Sequence, residues 1–254
     1  MADSDEVRGA IKSLMKALEV LRAIRPDEAL GVSEIARDLG LQKVAVQRIL
    51  TTLNEAGWVT PTLKTPTRWL AGPALYEFCA KFRRGWDLRP AALPAMRHLR
   101  DQTGETVNLG LLRDRYIVWI EQIRSLHGLS VQNAVGEIIP CHAAAAGKAI
   151  LASLAESQVG AIVGGMTRIT NRTITDIDDL LRDLETTRGR GYSISVGEGT
   201  EGVVGVGAAI VGPDGDPVAA ISVAGPENRM TKAHIEEAGK FVVQAAAAIS
   251  AEIP

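Results

Sequence analysis

Cysteine and aromatic side chains are scarce in this 254-residue chain. Its two cysteines, Cys79 and Cys141, lie far apart and give no CxxC spacing, which excludes a disulfide framework and a cysteine-rich zinc centre. With 4 Trp, 3 Tyr and 3 Phe, the cores must be filled by Ala, Val, Leu and Ile. No run approaches the roughly 18 uncharged apolar residues of a membrane span, so no membrane partner is expected. The stretch Met1 to Arg8 carries Asp3, Asp5 and Glu6 and no apolar core, which argues against a secretory signal and for a cytoplasmic location. The histidines, His98, His127, His142 and His234, are scattered and none stands in a known metal spacing such as HExxH. No metal and no cofactor are expected.

Motifs for catalysis are equally thin. Cys141 and His142 are adjacent, but neighbouring side chains on a strand or helix diverge, and no third group is placed to orient them as nucleophile and base. Gly202 to Gly207 is glycine-rich yet precedes a strand-like run and does not open a helix. Gly147-Lys148 lacks the preceding glycine and following hydroxyl of a phosphate loop, so Lys148 is expected on a helix surface. The chain is not expected to be an enzyme.

What is present is an uneven distribution of charge. The net charge is only −2, but Arg37 to Arg100 holds 11 basic and 4 acidic residues, whereas the stretch after Arg100 holds 12 and 19. A basic block of this kind suits phosphate neutralisation with counterion release. At roughly 100 to 200 residues per domain, the length fits two domains.

The basic block carries a helix-turn-helix pattern. A first helix is expected from about Ile11 to Ile24, with Ile11, Leu14, Met15, Leu18 and Leu21 as a packing face, ending at Pro26. Ser33 is placed to cap a short helix over Glu34 to Leu39, and Gly40 supplies a permissive turn. In the next helix, Gln42 to Ala56, Val46, Ile49, Leu50 and Leu53 fall at i, i+3, i+4 and i+7. That spacing leaves Gln42, Lys43, Gln47, Arg48 and Thr51 on or beside the open face, where they can meet base edges in a major groove. Trp58 to Thr60 and Thr67 to Trp69 read as short strands around a tip, Pro61 to Pro66. Lys64 and Arg68 of this wing are placed to meet phosphate or a minor groove.

Further along, Leu75, Phe78, Cys79 and Phe82 form an apolar stripe on a short helix that has little of its own chain to bury against, so a two-fold partner is expected. From Asp87 the pattern alternates. Pro90 to Gln102 reads as a helix, and Thr106 to Leu112 with Tyr116 to Ile123 as a strand pair. Val203 to Val211 and Pro217 to Ala224 flank the turn Pro213-Asp214-Gly215, and a last helix capped by Thr231 runs to about Ile249. The expected fold class is α+β: a winged helix-turn-helix over 9–72, a linker helix over 73–86, and an antiparallel sheet flanked by helices over 87–254. Pro140-Cys141-His142 with Ala143 to Gly147 reads as a helix start lined by small side chains, with exposed N–H groups suited to a carboxylate.

Specific residues extend this reading. Ser13-Leu14 with Ala17-Leu18, Val32 to Ala36, Gly40-Leu41, Val46 to Leu50, and Leu53 with Gly57 resemble the DNA-binding domain of IclR-type transcription regulators. Pro140 with Ala146 to Ala149, Thr173 to Thr175 with Leu180 and Leu184, Arg188 with Gly191-Tyr192, and Val218 to Val223 with Gly225-Pro226 and Arg229 resemble the family's effector-binding half. The likeness runs from about Ile11 to Ser250. It implies a GAF/profilin-like sensor domain and a dimer or dimer of dimers on a double-stranded, near-palindromic operator. Such a protein acts as repressor or activator under control of a small organic acid.

For DNA contact the resemblance points to Ser33, Gln42, Lys43, Val44, Ala45, Gln47 and Arg48, besides the wing residues Lys64 and Arg68. Val44-Ala45 stand where the family usually has a hydroxyl pair, which favours apolar contact with a thymine methyl. The positions matching the family's effector contacts are Val131, Ala145, Ala146, Ser195, Val203, Gly205, Ser222 and Ala224. Ser195 replaces an acidic residue there, which makes a larger, more apolar acid the expected ligand. The alternatives from other classes are a ligand-binding protein whose N-terminal region does not bind DNA and an enzyme whose N-terminal helices only dimerise.

Overall fold

The computed structural model describes residues 11–25, 28–63, 65–82 and 88–253. Pro26, Lys64 and the linker positions 83–87 lie outside them, as do the side chains of Cys79 and Phe82. The chain divides into two compact units, Met1–Asp87 and Leu88–Pro254.

In the first unit α1 (Lys12–Ala23), α2 (Val32–Leu39) and α3 (Lys43–Glu55) enclose a small core of Val20, Ile35, Val46, Leu50 and Trp69. Only part of the expected α1 face is used. Val20 is buried and Leu21 packs beside it, but Ile11, Leu14, Met15 and Leu18 each remain more than 40% exposed. The α2–α3 turn depends on Gly40, whose φ of +64° lets Leu41 N–H reach the Ala36 carbonyl at 2.9 Å. Ser33 does not cap α2. The N-cap is Gly31, and Glu34 reaches back to accept its N–H at 2.7 Å, which leaves Ser33 exposed in the first turn.

The wing strands lie one to two residues later than expected, at β1 (Val59–Pro61) and β2 (Trp69–Ala71), paired antiparallel. Leu30 and Trp69 exchange backbone hydrogen bonds of 3.1 and 2.8 Å, so the α1–α2 connection adds a third edge to the wing. That extra pairing pulls Trp69 into the strand and into the core. The unit ends with α4 (Pro73–Phe82), on which Phe78 packs against Trp58 with ring centroids 5.7 Å apart.

The second unit is a six-stranded antiparallel sheet in the order β5-β4-β3-β8-β7-β6. Its strands are β3 (Thr106–Arg113), β4 (Tyr116–Ile123), β5 (Ile138–Pro140), β6 (Ser193–Val196), β7 (Val203–Val211) and β8 (Pro217–Pro226). Strand alternation divides their side chains between two layers. Val107, Leu109, Val204, Val206, Ile221 and Val223 face α5 (Leu88–Thr103) and α9 (Lys232–Ala251). The opposite face meets α6 (Ala145–Ala152), α7 (Glu156–Val163) and α8 (Ile177–Arg190) through Ile117, Trp119, Ile150, Val159, Leu180 and Leu184. Removing one such Leu or Ile side chain costs about 2 to 5 kcal/mol.

Capping follows side-chain chemistry. Thr231 Oγ1 accepts the His234 N–H at 3.3 Å as α9 begins, and Asp176 caps α8 through Asp178 N–H and Asp179 N–H. The helix start expected after Pro140 is a single 3₁₀ turn, Cys141–Ala143, followed by α6.

Candidate functional site

Two surfaces concentrate the polar chemistry. On α3 the core positions Val46 and Leu50 turn inward, so Gln42, Lys43, Gln47 and Arg48 are all exposed at its first two turns. Val44 is 72% exposed, and Ala45 is half-buried beside it. No side chain caps the α3 N-terminus, so its first N–H groups remain available to phosphate oxygens. The hydroxyls of Thr51 and Thr52 instead turn back on the helix, each donating at 3.0 Å to the carbonyl four residues earlier.

Arg68, expected to meet phosphate, is engaged within the protein. Its guanidinium forks onto both Glu34 carboxylate oxygens at 3.2 Å and donates to the Ala29 carbonyl at 2.8 Å. The Gly31 N–H, and then the Arg68 charge, hold the Glu34 carboxyl below its usual range. Arg68 therefore locks the wing to α2.

In the second unit a cavity of about 60 Å³ opens between the sheet and the α6 start. Seven of the eight effector positions expected from the sequence line it: Val131, Ala145, Ser195, Val203, Gly205, Ser222 and Ala224. Ala146 does not. It is fully buried in the layer with Ile117 and Trp119, because the neighbouring Ala145 is the residue whose Cβ meets the sheet over Gly205. The α6 start comes so close that a Cβ on Gly207 would lie 2.8 Å from the Ala145 carbonyl carbon. Ser193 Oγ and Ser195 Oγ fasten it there, donating to the Ala145 and Ala143 carbonyls at 2.6 and 3.0 Å. The Ser195 proton is thus already committed.

Asn108, also in the lining, was not among the expected positions. The one signal for it in the sequence is a carboxamide inside an apolar strand, between Val107 and Leu109. No charged side chain lines the cavity among the described residues, so the uncapped α6 N-terminus supplies its positive potential.

Lys148 is not on a surface. It is completely buried, with Nζ 2.8 Å from Glu198 Oε1 and 3.0 Å from Asp183 Oδ2. Every residue of α6 is buried, so its one lysine had no solvated face to occupy. Burial raises the Glu198 carboxyl above its usual range, while the nearby Lys148 ammonium opposes that rise. Cys141 is buried and its thiol is pushed up to about 11, chiefly by desolvation. Burial lowers the His142 imidazole below its usual range, and its Nε2 donates to the Thr167 carbonyl at 3.1 Å.

A winged helix-turn-helix with an open recognition face, joined in one chain to an α+β unit with a small-molecule cavity, defines a DNA-binding transcription regulator of the ligand-sensing kind. Residues 13–62 match the IclR helix-turn-helix domain, and residues 81–251 match the bacterial transcriptional regulator IclR C-terminal domain. The chain belongs to the IclR family of bacterial transcription regulators. It is 32% identical to the transcriptional repressor IclR of Escherichia coli K12 over 94% of this chain and 88% of that one. The IclR regulator of Alicyclobacillus acidocaldarius has the same fold with a TM-score of 0.83 and 26% identity, covering 96% of this chain and 100% of the other. An IclR homologue from Microbacterium hydrocarbonoxydans, crystallised with 4-hydroxybenzoate, gives 0.79 and 22%, covering 95% and 98%.

Proposed function

We propose that this chain is a cytoplasmic, non-enzymatic transcription regulator that docks α3 of each subunit into successive major grooves of a near-palindromic operator, and that a small organic acid in the sheet cavity controls the docking. The observation that carries the reading is the open face of α3, where Gln42, Lys43, Val44, Gln47 and Arg48 stand exposed around an inward-turned core edge. A homodimer, alone or as half of a tetramer, supplies the second recognition helix. The exposed stripe Leu14, Met15 and Leu18 on α1, with Ile11 just before it and Tyr76 on α4, supports such pairing, since apolar rows of this kind are unfavourable in water. Half-sites about 34 to 36 Å apart then match the two helices.

The cavity supports a short ligand. Its volume of about 60 Å³ favours a small acid over the larger one suggested by Ser195 alone. A ligand that favours one packing of the sensor units shifts the spacing of the recognition helices, and only one spacing fits the operator.

Fluorescence anisotropy on duplexes from the DNA immediately upstream of the gene tests the DNA arm. Log affinity is expected to fall linearly with log salt, and Lys43→Ala and Arg48→Ala each to reduce the slope by about 1. Binding with no salt slope, or unaltered by both substitutions, refutes it.

A further inference from the structure

We propose that Asn108 is the specificity-determining donor of the cavity: Gln122 fixes its carboxamide so that Nδ2 meets an acceptor oxygen of the bound acid and disfavours an ammonium group. This rests on the reading of the cavity as the effector site. The two residues face each other across the β3–β4 ladder, and Gln122 Nε2 donates to Asn108 Oδ1 at 2.9 Å. With its oxygen engaged, the Asn108 amide must present its two N–H bonds elsewhere. Asn108 is 1% exposed, and its Nδ2 is buried without a hydrogen-bond partner. An amide donor taken from water and left unpaired is destabilising, and structures rarely keep one without a use for it.

Its direction follows from the strand. Val107 and Leu109 point into the layer under α5 and α9, so Asn108 points to the opposite face and into the cavity lining, where its ladder neighbour on β8 is Ser222. Two nearby hydroxyls are already committed to backbone carbonyls. Ser195 Oγ donates to the Ala143 carbonyl at 3.0 Å, and Thr106 Oγ1 donates to the Val131 carbonyl at 2.9 Å. The uncapped α6 start attracts the ligand's negative charge but does not distinguish one acid from another. Asn108 supplies that distinction, because a site built to hydrogen-bond an oxygen loses most when the oxygen is replaced by a methyl group or by another donor.

Glycolate, propionate and glycine test this directly. Each is a carboxylate of five non-hydrogen atoms, and they differ only in ending on a hydroxyl oxygen, a methyl group or an ammonium. Calorimetric titration of the full chain is expected to give glycolate about tenfold tighter than propionate, with glycine weakest. Asn108→Leu is expected to bring glycolate and propionate within about twofold of each other. Gln122→Glu offers only acceptors to Asn108, so the amide turns over, Oδ1 faces the cavity, and glycine overtakes glycolate. Gln122 is only half-buried, so this second variant keeps the test decisive if Asn108→Leu fails to fold. Three ligands of equal affinity in the wild-type protein, or a wild-type ranking retained by the folded variants, overturns the role of Asn108 and leaves the cavity standing. Failure of all three to bind, or binding that survives Ala145→Leu, overturns the cavity reading and the role of Asn108 with it.

Discussion

Lys148 Nζ and Glu198 Oε1 lie 2.8 Å apart, with no part of the Lys148 side chain in contact with water. The pair joins the two walls of the cavity, because Lys148 sits one turn after Ala145 on α6 and Glu198 immediately precedes Gly199 and Thr200. Removing one partner from a buried ion pair leaves an uncompensated charge, whereas removing both is often tolerated. Lys148→Met is therefore expected to lower unfolding free energy by about 3 to 5 kcal/mol in denaturant titrations. Adding Glu198→Leu is expected to recover only part of the loss, since Asp183 has 27% of its side chain exposed but its Oδ2, which faces Lys148, is buried. A single-variant cost below about 1 kcal/mol, the level of an exposed pair, counts against this account.

Glu34 and Arg68 act on the other unit, and their substitution separates scaffold from DNA contact. Because Arg68 is spent on Glu34 and the Ala29 carbonyl, Arg68→Ala is expected to lower the melting temperature while leaving the salt slope of DNA binding within a few tenths of wild type. The folded state holds the Glu34 carboxyl below its ordinary value of 4.5, first through the Gly31 N–H and then through Arg68. The stabilisation is thus present above about 4.5 and disappears as pH falls through the lower folded value. Thermal melts of the Glu34→Gln variant between pH 6 and 3 should show that acid-side loss flattened.

Cys141 carries a prediction about reactivity. Its thiol is buried and raised to about 11, so at pH 8 the thiolate fraction is on the order of 0.1% and access is blocked as well. Iodoacetamide at pH 8 is expected to leave the peptide containing Cys141 unlabelled in the folded protein and to label it fully in denaturant, as read by mass spectrometry. Rapid labelling in the folded state would reopen a nucleophilic role.

The parts legible in the sequence were those encoded by local period and local turn chemistry. The i, i+3, i+4, i+7 spacing of Val46, Ile49, Leu50 and Leu53 marks α3, and Thr231 marks the start of α9. Strands β5 and β6 are not legible in the sequence, because Ile138–Pro140 and Ser193–Val196 are too short to establish an alternation and one of them ends in proline. Lys148 read as a surface residue because its partners, Asp183 and Glu198, lie in distant segments. The pairing of Arg68 with Glu34 is illegible for the same reason, since an arginine on a wing says nothing of a glutamate on α2. Seven of the fifteen residues that line the cavity are ones to which the family resemblance points. Asn108 needed the topology itself, because strand parity assigns it to the cavity face only once that face is known.

Ala145 is the residue where occupancy of the cavity can be separated from integrity of the fold. Its side chain is nearly buried, and its Cβ lies 3.1 Å from the position a Cβ on Gly205 would take, so one end of the cavity is closed by an alanine against a glycine. Leucine at this position adds three carbons to a space of about 60 Å³, filling most of the room a short acid would use. Overpacking is expected to cost about 1 to 3 kcal/mol, a tolerable loss for a domain of this size. DNA affinity without ligand should stay within about twofold, because the recognition face belongs to the other unit, whereas the thermal shift produced by saturating acid should vanish. If the Ala145→Leu protein melts cooperatively and still gains stability with the same acid, the effector binds elsewhere. Loss of both DNA affinity and the acid response in a folded variant would instead show that the cavity controls the recognition helices even when empty.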